Sequence, residues 1–325
     1  MYKKKRVVVL ILAMSLSLIG CQAEQQGNKY GFDITNVPVE KVQISSCAAG
    51  DSLEVEPYGV VTETQITRLF QKYVTELDLG SLSGQFKYLP LFVSKADKES
   101  LCKIIQSIGA SNPETMNRSE QMAFYINAYN VFTVSLIIEK YIETEVQQSN
   151  GSFEKSIRNI PNDEGLPLDA AVWDTFSWEI NGQFLTLNQI EKDILVPMGD
   201  ARIHFAVNCA SKGCPPLRSE AFTAGELDSQ LDEMSAFFVN NEFYSLYDYI
   251  EEEQFGEMEI SQIFEWYSED FENHQGGQFN SVRSFIVHYL DQEAIEFDKR
   301  EILDPNKWEI FFYNYDWTLN EKDLL

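Results

Sequence analysis

The chain has 325 residues, 44% hydrophobic and 13% aromatic, which is enough apolar material for a packed core and argues against wholesale disorder. Its net charge of −26 is the opposite of the basic surface that phosphate backbones require, so no nucleic-acid partner is expected. The length suits one large domain or two small ones.

The first predicted element is a targeting segment. Lys3, Lys4, Lys5 and Arg6 precede the apolar run Val7 to Ile19, and Leu18-Ile19-Gly20-Cys21 resembles a lipobox. The apolar run is too short, and too soon followed by polar residues, for a membrane span. The expectation is a signal peptide over residues 1–20. Cys21 then becomes the first residue and carries acyl chains, palmitate among them, with more than one chain needed for stable anchoring. This places the protein in the cell envelope, on the extracytoplasmic side, and Gln22 after the cysteine suits an outer membrane if the cell is Gram-negative. Loss of the four basic residues takes the mature charge to −30, which keeps an envelope protein soluble.

Residues 21–60 are polar and read as a lipidated N-terminus and flexible tether, with the domain proper over 61–325. Thr62 to Val74 is a predicted helix with Ile66, Leu69, Phe70 and Val74 on one face, and Lys98 to Ile108 is a second. Asn117 and Glu120 are spaced as a capping box for a third. Met122 to Ile138 carries no charge, so it belongs in a core or a membrane; Asn127, Asn130, Thr133 and Ser135 argue for the core. Phe176 to Thr186 reads as a hairpin turning at Asn181-Gly182. Thr186 and Gln189 cap a short helix holding Glu191. Arg202 to Asn208 is a predicted strand running into the loop Ala210 to Pro216. Thr223 and Glu226 are spaced to cap a helix through Leu227, Leu231 and Phe238. Residues 243–260 read as irregular or β, Ser261 to Phe271 and Ser281 to Leu290 as helices, and Trp308 to Trp317 as a closing strand. Helices and short strands alternate without a βαβ rhythm. The expected class is α+β: a single domain with a buried central helix and a small, mostly antiparallel sheet.

The segment from Arg202 through His204 and Cys209 to Cys214 holds the densest chemistry. A Cys–His pair generates a thiolate near neutral pH, so Cys209 or Cys214 is a candidate nucleophile with His204 as base. Glu191 is the candidate third member that orients the imidazole. Arg202 is a candidate carboxylate binder, and the amides of Ala210 to Gly213 a candidate oxyanion site. In a strand His204, Ala206 and Asn208 share a face and Cys209 points away, so the residues do not choose between the two cysteines.

Each has a structural alternative. In an oxidising compartment Cys47, Cys102, Cys209 and Cys214 form two disulfides by any of three pairings, and Cys209–Cys214 would be a staple. His204 also suits a satisfied core position, Glu191 an ion pair with Arg202, and Asn127 and Asn130 internal hydrogen bonds. Zinc would need a fourth ligand beyond His204, Cys209 and Cys214, and none is evident, so neither metal nor cofactor is expected.

The segments Phe124-Tyr125-Ile126-Asn127-Ala128-Tyr129-Asn130, Leu187-Asn188-Gln189-Ile190-Glu191, Arg202 to Pro215, Ile263 to Phe271 and Tyr315 to Asn320 resemble, in order, the family called domain of unknown function 547. The resemblance spans residues 62 to 320. It implies that Asn127, Asn130, Glu191, Arg202, His204, Cys209 and Cys214 are the family's polar site, and it invites comparison with papain-like and transglutaminase-like folds. This chain carries Lys192 where His commonly follows the Glu, and Tyr125 where Trp is usual. Two functions are expected from different classes. One is a lipid-anchored, cysteine-dependent hydrolase or acyl transferase with catalytic Cys209 (or Cys214), His204 and Glu191. The other is a non-catalytic module binding a small anionic or thiol ligand or a peptide through Arg202, Asn127 and Asn130. The partners implied are a membrane, through Cys21, and that ligand.

Overall fold

The computed structural model describes residues 40–41, 56–149, 152–162 and 164–322. The signal segment, Cys21, Cys47 and most of the expected tether lie outside the described residues.

In chain order the elements are β1 (Glu40–Lys41), α1 (Val60–Tyr73), α2 (Tyr88–Val93), α3 (Lys95–Gly109), α4 (Arg118–Glu139), β2 (Glu145–Gln147) and β3 (Phe153–Lys155). They continue with α5 (Val172–Thr175), β4 (Phe176–Ile180), β5 (Gln183–Thr186), a π-helical turn over Gln189–Leu195 and a 3-10 turn over Ala201–Phe205. The last are α6 (Leu227–Asn240), β6 (Ser245–Ile250), β7 (Phe255–Ser261), α7 (Ile263–Trp266), α8 (Ser268–Glu272), α9 (Val282–Tyr289) and β8 (Trp308–Tyr313). The described strands form three small sheets, ordered β1-β4-β5, β2-β3 and β6-β7-β8. The pairs β2/β3, β4/β5 and β6/β7 are antiparallel, whereas β1/β4 and β7/β8 are parallel. The class is α+β.

Helix α4 is the axis of the fold. Its start is the expected reciprocal cap: Asn117 accepts from the amides of Ser119 and Glu120, and Glu120 accepts from the amide of Asn117. Every residue from Met122 to Ile138 is buried, so the protein itself covers the apolar surface that by length and composition would suit a bilayer. Phe132 stacks on Trp178 of β4 at 4.9 Å, and the Trp178 indole N–H donates to Ser135 Oγ at 3.1 Å. The polar residues of this helix thus serve as internal anchors.

The β4–β5 hairpin turns at Asn181-Gly182, both with positive φ (50° and 78°), as a two-residue turn matched to strand twist requires. Thr186 and Gln189 cap the next turn reciprocally. Three expectations need correction. Residues 202–208 are not a strand: Asp200 accepts from the Arg202 amide and starts a 3-10 turn, and residues 201–208 are buried without alternation. Thr223 and Glu226 do not form a capping box, because Gln230 Oε1 takes the Thr223 amide and α6 begins at Leu227. The helix expected over 261–271 is broken at Tyr267 into α7 and α8. Tyr58 packs edge-on against Phe124 at 5.0 Å, and β1 within the expected tether pairs with β4.

Candidate functional site

The polar residues singled out in the sequence do come near α4, but they sort into three groups with different partners. The first group holds the chain in place. Asn130 donates to the Ala206 carbonyl at 2.9 Å and accepts from the Asn208 amide at 2.8 Å. Asn127 grips Phe222 through both its carbonyl (2.7 Å) and its amide (2.9 Å), and also donates to Tyr58 Oη. These bonds give Asn127 and Asn130 the anchoring role of the structural alternative, and Asn127 has both of its N–H groups committed. Asn208 extends the same network to the Pro215 carbonyl, the Ala210 amide and Asn320.

The second group is the cysteine loop. Cys209 and Cys214 are joined by a disulfide, with Cα atoms 6.2 Å apart, and Cys102 is also disulfide-bonded. Cys209 is partly exposed and Cys214 buried. Tyr315 Oη lies 3.2 Å from Cys209 Sγ and Ser211 Oγ 3.1 Å from it; neither Cys–His pairing is formed. Three of the expected oxyanion amides are committed elsewhere: Ala210 donates to Asn208, Lys212 to the Thr318 carbonyl and Gly213 to the Asp316 carbonyl. A Cβ at Gly213 would come within 2.9 Å of the Tyr315 ring, so the close approach of loop and C-terminal segment needs glycine there.

The third group surrounds His204. Its Nε2 pairs with Asp270 Oδ2 at 2.8 Å, and its ring stacks on Tyr267 with centroids 3.8 Å apart. Tyr267 in turn donates to Glu191 Oε1 at 2.7 Å. Glu191 therefore reaches the histidine only through the tyrosine, and Asp270 takes the orienting place expected of Glu191. His204 Nδ1 is buried and meets no hydrogen-bond partner among the described residues. In the tautomer that donates Nε2–H to Asp270, Nδ1 presents a lone pair. His204 and Asp270 line a cavity of about 90 Å³ together with Val196, Gly199, Asp200, Ala201, Ile203 and Asn273.

A larger cleft of about 640 Å³ shares Gly199 and Asp200 with that cavity. Its walls include Arg118 and Ser119 in the first turn of α4, Met198, Arg202, Gly225, Asp228 and Gln275. Arg202 is not free to bind a ligand carboxylate. Its guanidinium makes a bidentate pair with Asp200 (2.9 and 2.7 Å) and further contacts with Asp232 and Asp228, both at 2.8 Å. Burial works against the charge of Asp200, but its hydrogen bonds to Arg202 win and hold the carboxyl below the usual carboxylate range. His274 accepts the Ala201 amide on Nδ1 at 3.0 Å, and burial, outweighing the nearby Asp200, pushes its pKa down.

Sequence reasoning missed Asp270, Tyr267, Asp200 and Tyr315 as partners of these groups. Asp270 and Tyr267 sit in the Ile263 to Phe271 motif, which was a usable signal.

Comparison with known proteins adds one match: residues 113–239 fit the family model described as "Protein of unknown function, DUF547". The matched range contains Asn127, Asn130, Glu191, Arg202, His204 and both loop cysteines. The resembling segments at 263–271 and 315–320 lie beyond it. No curated protein and no solved structure matches the chain.

Proposed function

We propose the function from the site, because the DUF547 family model that residues 113–239 fit carries a description that assigns no activity. It is a lipid-anchored cell-envelope protein whose domain binds a small polar ligand in the cleft between the first turn of α4 and Asp228. Arg118 and the positive end of the 22-residue helix α4 suit an anionic group, and exposed Asp228 suits a cationic one. A peptide terminus or an amino-acid-like molecule carries both. The inner cavity then offers His204 Nδ1 to a donor on the same ligand.

One observation carries this reading over cysteine-dependent hydrolysis. The two cysteines are bonded to each other, and His204 is held by Asp270, away from any thiol. A nucleophile and its base are not assembled. The membrane address rests on the Lys3 to Cys21 pattern alone.

Thermal-shift titration with amino acids and short unblocked peptides tests the binding. Stabilisation that Arg118→Gln abolishes, without consumption of the peptide, is the expected result. Absence of any stabilisation at millimolar concentration, or iodoacetamide labelling of Cys209 in the native unreduced protein, overturns it. Labelling cells with radioactive palmitate tests the anchor, and the label is expected to disappear in Cys21→Ser.

A further inference from the structure

The disulfide between Cys209 and Cys214 has features that a purely structural staple does not need. It closes a loop of only five residues' separation, and cross-linking so short a loop restrains the unfolded chain least. The loop is already held without it, by Lys212 and Gly213 donating to the Thr318 and Asp316 carbonyls and by Asn320 donating to the Ala210 carbonyl. The two sulfurs differ in access: Cys209 is partly exposed and Cys214 buried. Each sulfur also faces donors. The Cys209 amide donates to Cys214 Sγ at 2.8 Å. A disulfide sulfur carries no hydrogen, so the hydroxyl facing Cys209 Sγ donates to it. Ser211 Oγ lies 2.9 Å from Tyr315 Oη, so a chain runs from Ser211 to Tyr315 to Cys209 Sγ. Burial keeps the Tyr315 phenol protonated, which preserves it as a donor.

We propose that Cys209–Cys214 is a thiol–disulfide exchange site served by a dithiol reductant, with Cys209 attacked and Cys214 leaving. One thiolate of the reductant bonds to the exposed Cys209 Sγ. The Cys209–Cys214 bond breaks, and its electron pair leaves on Cys214, where the Cys209 amide stabilises the thiolate. The reductant's second thiolate then attacks its own sulfur in the mixed disulfide, and Cys209 departs as a thiolate facing Tyr315. The reductant leaves as its disulfide, two electrons enter the cysteine pair, and the two protons lost by the reductant's thiols end on Cys209 and Cys214. A lower leaving-group pKa speeds each step, and donors to the departing sulfur supply that.

The test uses the full mature protein in detergent with dithiothreitol as the dithiol. Samples are acid-quenched, alkylated and read by mass spectrometry of the Cys209–Cys214 peptide. Reduction of the native protein is expected at least as fast as that of oxidised glutathione under the same conditions, with unchanged circular dichroism. Tyr315→Phe slows the departure of Cys209 from the mixed disulfide about fivefold, the value of one hydrogen bond to the departing thiolate. Ser211→Ala slows it in the same direction and serves if the tyrosine variant fails to fold. With excess glutathione as monothiol, the transient adduct is expected on Cys209. Reduction that requires denaturant, an adduct on Cys214, or an unchanged rate in whichever variant folds overturns the proposal.

Discussion

Replacing Arg202 by methionine tests whether the cluster at the floor of the cleft is held by charge. Arg202 and Asp200 are 6% and 5% exposed at their side chains and share a bidentate pair. Removing the guanidinium leaves the Asp200 carboxylate buried, with the amide of residue 202 (3.1 Å) and Gln275 (3.2 Å) as its remaining hydrogen-bond donors. Loss of one partner of a buried pair costs about 3–5 kcal/mol, and these two donors put the expectation at the low end, about 3 kcal/mol. Asp228 and Asp232 are 84% and 49% exposed, so their release adds at most about 1 kcal/mol between them. A total of roughly 3–4 kcal/mol corresponds to a fall in Tm of about 6–16 °C for a domain of this size. Urea unfolding followed by circular dichroism at pH 7 and pH 4 is the assay. In the parent, the Asp200 pKa is depressed, so its contribution is present above the unfolded value of about 3.9 and is lost as pH falls through the folded value. In Arg202→Met burial raises it instead, so the folded variant gains from protonation and the gap to the parent narrows in acid. The double variant Asp200→Asn with Arg202→Met should lie closer to the parent at pH 7 than the single one. A single variant within about 1 kcal/mol of the parent at pH 7, or a gap that does not narrow with acid, would refute the reasoning.

Three other outcomes are expected. Asn127→Ala strands the buried amide and carbonyl of Phe222 and should cost about 2–4 kcal/mol by urea unfolding, with parent-like stability arguing against the clamp. Gly256→Ala places a Cβ 2.3 Å from the fully buried Trp308 indole in the paired β7 and β8, so the equilibrium stability should fall by about 2 kcal/mol or more; a neutral change would mean that Trp308 can move aside. His274 is buried neutral with a depressed pKa, so it favours folding above its unfolded value of about 6.5 and loses that contribution as pH falls below it. The urea midpoint should therefore drop between pH 7 and pH 5, and His274→Asn should flatten that slope.

Much of the local structure was legible because it is set by short-range chemistry. Asn117 and Glu120 announce α4 because a reciprocal cap needs only residues three apart. Asn181-Gly182 announces its hairpin because two adjacent positive φ values exclude most residue types. The uncharged run from Met122 to Ile138 required burial, and Asn127, Asn130 and Ser135 within it were readable as anchors before their partners were known. Arg202 to Asn208 misled for a physical reason. A short apolar run buried on every side carries no period, so strand and tight helical turn look alike, and Asp200 decided the matter by capping the Arg202 amide.

By itself, the sequence determined the net acidic charge, the α+β class and the identity of the polar residues grouped near one helix. Which of those residues touch was decided only by the tertiary structure. Glu191 was the carboxylate expected beside His204, and residue type alone does not prefer it to Asp270. The break at Tyr267, between α7 and α8, gives the histidine to Asp270 and the tyrosine to Glu191. Arg202 looked like a ligand for a foreign carboxylate until α6 brought Asp228 and Asp232 to it. The two cysteines, readable either as a nucleophile or as a bridge, meet each other because the loop doubles back onto Tyr315 and the C-terminal segment. Residue type sets what a side chain is able to do; its partners, drawn from distant positions such as Asn320 for Asn208, set which of those things it does.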